Sequence, residues 1–487
     1  MEAINSQNSN TTIDEDNINK LPDLLIHHIL SFVKVKQAFQ TCILSKRWRY
    51  IWTSLPFMNF DISDLPQQSY RCHYHLDRLV DNVLSLRDNR CFDMRRFHLI
   101  GGYAAIKSIS HLHRWIISVA RSNVEDIYVQ FNGSYNNNDR EFRVPDCVFT
   151  CKSLTKLELD LSMSCKIILP NFISLPRLRY LKLNNPSFDH DALTKLCTNF
   201  PLLEHLDSSG ISSYEPLNIN ISSHTLKHLS LGVANSSAPL NITISSLSLK
   251  HFEVHIGYHN SIHNTLRLCA ANLVYLVLSN LDYMLLEDVS SLVTADVGVQ
   301  LKPRKLNAKF WRIHAPDTLK SLKSLHNVKD LTISLQPLKD VIRVQELLQE
   351  QPFEFSNLQR LKLQNISHST DSMHAIASLV KISPIIESIK LELCQDVETS
   401  YNYNYSDTDA EQEMESDPHT GEATVDLEGL LADTMKQLKS VEINGLQGSD
   451  NELEFIQILM KNAMVLKKMV LRTQLYRSRI EKFCEEE

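Results

Sequence analysis

Three groups of side chains in this sequence have the types and spacing that metal chemistry uses. Cys72, His73 and His75 stand together, His251 and His255 are four apart, and Cys147 and Cys151 are four apart. No CxxC set accompanies any of them, so a four-ligand zinc site is not expected, nor is any other metal or cofactor. The motifs that activate a nucleophile, bind a catalytic metal or cradle a phosphate (GxSxG, HExxH, the P-loop) are absent. With 11 glycines in 487 residues, the chain is also poor in the residue that phosphate loops need. Acidic pairs are frequent, but they fall on surfaces where solvation is the default. No catalytic residue is expected.

The remaining chemistry is that of contact. Tyr180, His205, His228, His251 and Tyr275 follow one another at intervals of 25, 23, 23 and 24 residues. Each sits just before the middle apolar residue of a pattern Φ-x-x-Φ-x-Φ, where Φ is apolar: LRYLKL from Leu178, LEHLDS from Leu203, LKHLSL from Leu226, LKHFEV from Leu249 and LVYLVL from Leu273. On strands about 4.8 Å apart, these five side chains would form one outward column. Lys182, Asp207, Ser230, Glu253 and Val277 would form the next. Rings beside mixed charge suit protein recognition, because such side chains bury area at low entropic cost. A polar ladder that only solvates the strands is the alternative.

The elements that must hold this column are repeats. The same pattern starts at Met94, Val124, Leu154, Leu292, Val328, Leu358, Ile386 and Leu438. From Leu154 to Leu273 the steps are 24, 25, 23, 23 and 24 residues, the period of a leucine-rich repeat. That period predicts an α/β fold in which each repeat gives one short parallel strand and its apolar residues enter a shared core. Steps of 30 at both ends and 36 after Leu292 predict an irregular horseshoe with longer convex-side loops, over residues 91–398. PSFDHDALTKLCTNF, from Pro186, reads as a helix and turn between strands. The interval from Ile386 to Leu438 doubles to 52, and positions 391–435 hold 13 acidic side chains and no Lys or Arg. Residues 399–430 are therefore expected to be an acidic disordered insertion. A tolerated loop, a phosphorylation target at Ser406 and Thr408, and a dock for a basic partner stay open for it. Residues 431–487 read as strand, loop, helix and strand, a cap for an open solenoid. Leu453, Ile456, Leu459 and Met460 lie on one face of that helix, and Asp450 or Asn451 is placed to cap it.

At the other end, residues 1–17 read as a disordered tail. Leu21-Pro22-Asp23 then opens a helix of about twelve residues with Leu25, Ile29 and Val33 in one line and Ile26 and Leu30 in another. A second helix is expected from about Gln37, with Leu44, Trp48 and Trp52 in line. Residues 63–90 read as a linking helix carrying Leu76, Leu79, Val80, Val83 and Leu84. So short an N-terminal segment cannot bury its apolar surface alone, so it must dock on something.

The order LP-D-x-L-I-x-x-I-L, then L-S-K-R-W-R-x-x-W, resembles the F-box of plant F-box/leucine-rich-repeat proteins. The segment after Leu438 is similar to the FBD region that closes many of them, so the resemblance runs from residue 18 to about residue 472. It implies an F-box at 18–62 that binds the small adaptor subunit of an SCF-type cullin–RING ubiquitin ligase. The matching positions are Leu21, Pro22, Ile26, Ile29, Leu30, Leu44 and Trp48. The sequence departs from the family at Val33-Lys34-Val35, where a Leu-Pro-Thr-like segment is usual.

Composition narrows the rest. A net charge of −7 lacks the electrostatic footprint of a nucleic-acid binder. No apolar run of about 18 residues is present for a membrane, and MEAINSQNSNTTIDEDNINK does not read as a signal peptide. Ten scattered cysteines read as reduced thiols of an intracellular protein, so the sequons at Asn132, Asn220 and Asn241 are expected to stay bare. KPRK at 302–305 leaves cytoplasmic and nuclear residence both open. The resulting expectation is a non-catalytic substrate receptor: the F-box on the adaptor, and through it a cullin, with the repeats on an unknown target protein. A scaffold outside any ligase, and a ligand-dependent receptor within one, are the alternatives.

Overall fold

The computed structural model describes residues 20–33, 35–64, 72–87, 94–101, 109–131, 141–161, 165–170, 173–187, 192–213, 215–236, 239–257, 264–281, 283–298, 317, 319–334, 354–394, 431 and 435–473. The tail at 1–17, KPRK at 302–305 and the acidic stretch at 399–430 lie outside the described residues. The chain forms two compact units, residues 1–187 with 199–203, and residues 188–198 with 204–487.

The first unit begins with α1 (Asp23–Ser31), which starts behind an extended Pro22 and places Asp23 in its first turn. Proline pre-sets the entry angle and the carboxylate meets the positive end of the helix dipole. The helix has nine residues rather than about twelve, closing at Phe32. The expected second helix is broken into α2 (Val35–Gln40), a 3₁₀ turn at Thr41–Ile43, α3 (Trp48–Ile51) and a 3₁₀ turn at Trp52–Ser54. Hydroxyls make the breaks, since they offer the backbone bonds outside the helix. Thr41 Oγ1 donates to the Ala38 carbonyl at 2.6 Å, and Ser45 Oγ accepts from the Trp48 N–H at 3.4 Å. Ile26, Leu30, Ala38, Trp48, Ile51, Trp52 and Leu55 form the core of these turns.

The linking helix is α4 (Cys72–Leu86), followed by α5 (Ile109–Ala120). Trp115 on α5 donates its indole N–H to Asp81 on α4 at 2.7 Å. Arg87, just past α4, donates to the Leu55 carbonyl at 2.6 Å and ties α4 to the N-terminal turns. The strands are β1 (Phe57–Asp61), β2 (Arg96–Gly101), β3 (Asp126–Phe131), β4 (Glu141–Arg143), β5 (Lys156–Asp160), β6 (Lys166–Ile168), β7 (Tyr180–Asn184) and β8 (Pro186–Ser187). β1-β2-β3-β5-β7 pair in parallel in that order, and β4-β6-β8 form a small second sheet. The register stacks Phe97 on Ile127, Leu157 and Leu181, all interior. Alternation in the sequence thus becomes one continuous core.

The second unit contains all but the last residue of α6 (Ala192–Asn199) and then β9 (His205–Ser213), β10 (Leu217–Ser222), β11 (His228–Ser236), β12 (Leu240–Ser245), β13 (His251–Ile256), β14 (Thr265–Cys269), β15 (Tyr275–Ser279), β16 (Tyr283–Asp288), β17 (Thr294–Gly298), β18 (Asp330–Ser334) and β19 (Arg360–Ile366). It continues with α7 (Thr370–Lys381), β20 (Ser388–Leu393), β21 (Ser440–Leu446), α8 (Asp450–Asn462) and β22 (Lys468–Thr473). The repeat strands pair in parallel in the order β9-β11-β13-β15-β17-β18-β19-β20-β21-β22.

The convex-side segments from 217 to 288 are not loops. β10-β12-β14-β16 make a second parallel sheet, with Leu217, Ile219 and Ile221 in register with Leu240, Ile242 and Ile244. Each of these coils therefore contributes two strands, one to each sheet, and the core lies between them.

In the C-terminal helix the capping residue is neither Asp450 nor Asn451. Ser449 caps α8, accepting from the Glu452 N–H, and Glu452 returns the bond in a full capping box. The helix buries Glu452, Phe455, Ile456, Ile458 and Leu459, whereas Leu453 and Met460 face solvent. The buried set includes an acid and omits two expected apolar positions, because the contact face is turned toward α7 and the Ser367–Ser369 loop.

Candidate functional site

Two surfaces emerge from this architecture. The first is apolar and belongs to the N-terminal turns. Of the seven positions matched to the F-box, Ile26, Leu30 and Trp48 are interior, so they build the module and are not available to a partner in this structure. Pro22, Ile29 and Leu44 are exposed and Leu21 is half-buried. Around them lie exposed apolar side chains not in that set: Leu24 (82% exposed), Phe32 (77%), Ile43 (84%), Leu25 and Phe39. Arg47 fixes the edge of this surface, donating to the Leu21 carbonyl at 2.6 Å and pairing with Asp23. His27 Nε2 lies 2.8 Å from Ser54 Oγ behind it. Burial, the largest influence, lowers the His27 pKa. So many apolar side chains left in water on so small a module mark a docking face.

The second surface is the outward row of the repeat strands. Register aligns His205 with His228, His228 with His251 and His251 with Tyr275. The ring centroids are 5.3, 4.4 and 5.9 Å apart, and the middle pair is stacked at 12°. Burial, with help from His251, Lys227 and Lys250, lowers the His228 pKa. His251 Nδ1 is buried with no hydrogen-bond partner among the described residues. Tyr180, the fifth residue of the column, stands in the first unit at the equivalent outward position of β7. There it receives Lys156 over its ring at 4.9 Å.

Next to the four rings along the strands run Asp207, Ser230, Glu253 and Val277, continued by Asp296 on β17. His255 lies 3.7 Å from Glu253. Burial raises the Asp296 pKa against the pull of Lys362 and His255.

Among the described residues no set of three or more His, Cys, Asp or Glu side chains is placed to hold a metal ion. The side chains of Cys72, His73 and His75 fall outside the described residues. Cys147 and Cys151 are free thiols, and burial raises the Cys147 pKa. Burial likewise pushes Cys197 up to about 11, away from nucleophilic use. No helix among the described residues is long and apolar enough to cross a membrane.

A third cluster escaped sequence reasoning. In the FBD end, the Glu452 carboxylate is 1% exposed and meets His368 Nδ1. It also accepts from the N–H groups of Gln447, Gly448 and Ser449 at 3.1, 2.7 and 3.1 Å. This nest is structural: it locks the start of α8 to the loop before α7.

Comparison with known proteins matches these regions in order. The F-box domain model matches residues 18–60, covering α1 to β1. A model described as "FBD-associated F-box protein At5g56370, LRR repeats" matches residues 112–246. The FBD model matches residues 435–471, covering β21, α8 and most of β22. Among curated Arabidopsis thaliana proteins, the chain is 34% identical over 219 residues to the putative F-box/FBD/LRR-repeat protein At3g59240, covering 44% of this chain and 42% of that one. It is 30% identical over 228 residues to the putative F-box/LRR-repeat protein At5g41840 (44% and 42%), and 31% identical over 196 residues to the F-box/FBD/LRR-repeat protein At1g78750 (39% and 41%). The chain thus spans less than half the length of these three relatives. With matches to the F-box, repeat and FBD models in this order, the chain is similar to plant F-box/leucine-rich-repeat proteins with an FBD region.

Proposed function

We propose that this chain is the substrate-receptor subunit of an SCF-type cullin–RING ubiquitin ligase. The F-box holds the SKP1-like adaptor and the repeats hold a target protein. The observation that carries this reading is the exposed apolar face of Leu24, Leu25, Ile29, Phe32, Ile43 and Leu44 on a segment matched to the F-box. Such a face needs a partner with an apolar groove or helix bundle. The subunit's contribution is positional: it raises the effective concentration of target lysines at the ligase and makes no covalent bond itself.

The test is co-purification. Ile29→Asp with Leu44→Asp places charge on the docking face without touching the buried core, and it is expected to reduce adaptor recovery about a hundredfold or more, as losses at interface anchors do. A variant that folds, by circular dichroism and melting, and still recovers the adaptor in full excludes the reading and leaves a scaffold outside the ligase.

For the target we propose the ring ladder of His205, His228, His251 and Tyr275, with Tyr180 as the matching position in the first unit. Stacked, partly exposed rings bury area without freezing many rotors. His228→Ala with His251→Ala is expected to abolish capture of the bound target in cells with the proteasome inhibited, while adaptor binding stays intact. Equal capture by the double variant removes the ladder from the target site.

A further inference from the structure

The last strand of the second unit, β22, has a neighbour on one side only among the described residues. Its inward row shows what that leaves open. Register sets Met469 beside Val441 and Leu471 beside Ile443 of β21. Val441 is buried and Ile443 is 1% exposed, whereas Met469 is half-buried and Leu471 is 46% exposed. Met464 and Val465 in the turn before β22, and Leu453 and Met460 on α8, are exposed as well. The Lys468 N–H bonds the carbonyl of Lys439, the residue before β21. Alternation along the strand therefore turns the backbone groups of Met469 and Leu471 to the open side. Apolar side chains beside unpaired backbone are what strand addition uses.

The outward row of the same strand selects the occupant. Lys468, Val470 and Arg472 stand beside Ser440, Glu442 and Asn444, and Lys467 precedes them. The nearby carboxylates are already taken: Glu442 by Lys390 and Arg472, and Glu387 by Lys439. Lys467 and Lys468 are exposed and have no carboxylate partner among the described residues. A second copy of the chain fits this edge poorly. Two copies on a two-fold axis pair their β22 edges antiparallel. Centred on Val470, that sets Lys468 of each against Arg472 of the other, and like charges directly opposite repel. We propose that β22 takes an extended segment of another protein as an added strand. Apolar residues of that segment lie on Met469 and Leu471, and acidic residues alternating with them face Lys468 and Arg472. This contact is separate from the apolar face of the N-terminal turns and from the ring ladder, and it does not rest on the ligase reading.

The test uses the purified full chain and labelled short peptides that alternate valine with glutamate or with lysine. Fluorescence anisotropy should rank the glutamate peptide about tenfold above the lysine peptide. A glutamate–valine peptide interrupted by proline should stay unbound, because it cannot complete the ladder. Lys468→Glu with Arg472→Glu should reverse the ranking, a change of preference that unfolding cannot produce. Leu471→Pro removes an N–H on the open edge and should abolish binding of both peptides, with melting curves to show that the variant folds. Equal binding of the two peptides, or a glutamate preference that survives charge reversal, overturns the proposal. Binding of the glutamate peptide only after removal of residues 474–487 would place the chain's own end on this edge. A concentration-dependent dimer that Leu471→Pro dissolves would place a second copy there. Either result also overturns the proposal.

Discussion

Glu452→Ala is expected to destabilise the second unit by about 3 kcal/mol or more, since each buried donor left without its acceptor costs about 1–3 kcal/mol. The carboxylate is interior and serves four donors: the His368 ring and the N–H groups of Gln447, Gly448 and Ser449. Its loss leaves three backbone donors and one imidazole without their acceptor in a region water does not reach. It also removes half of the capping box that starts α8. Thermal or urea unfolding measures the loss; a variant within about 1 kcal/mol of wild type would show that the nest contributes little.

The same group sets a pH dependence. Burial alone would raise the Glu452 pKa, but the bonds from His368 and the three N–H groups outweigh it and hold the pKa below the ordinary value. A carboxyl with a depressed folded pKa contributes stability above its unfolded value, near 4.3, and loses it as pH falls through the folded value. The stability gap between wild type and Glu452→Gln should therefore be full near neutral pH and shrink below about pH 4. A gap that is constant from neutral to acid pH would show that the carboxylate's charge is not what the nest holds.

Gly445→Ala is the second large effect. Gly445 has φ +89°, and a Cβ there would sit 2.4 Å from the Leu393 carbonyl oxygen on the neighbouring strand. Both the dihedral and the clash oppose a side chain, so we expect a loss of about 3 kcal/mol. Gly448 is the internal control: its φ is +85° but nothing lies within 4 Å of the added carbon. Gly448→Ala should cost only the backbone part, about 1–2 kcal/mol. Equal losses in the two variants would mean that the β20–β21 pair yields without penalty.

The sequence carried the repeat strands well, because period-two alternation and near-equal steps are local signals that tertiary packing reinforces. It carried the second sheet too, in Leu217-x-Ile219-x-Ile221 and Leu240-x-Ile242-x-Ile244, but expected convex loops displaced that alternation in the reading. Ser449-x-x-Glu452 is likewise a written capping box, overlooked in favour of Asp450 and Asn451. The F-box was harder for a physical reason. α1 is apolar on more than one side, with Ile26 and Leu30 inward and Leu24, Leu25 and Ile29 outward. Spacing alone does not say which side the chain keeps for itself. The Glu452 nest joins residues 84 positions apart, from His368 to Glu452, and no local pattern announces such a pair.

The strict in-and-out alternation of β11, β13, β15 and β17 has an evolutionary consequence. Inward residues such as Leu229, Phe252, Leu276 and Ala295 build the core, while His228, His251, Tyr275 and Thr294 beside them lie on the outward row. The two sets sit on the same few residues of chain, yet a substitution in the outer row leaves the inward side chains in place. A gene duplicate can rewrite its outer column one letter at a time and remain a folded protein at every step.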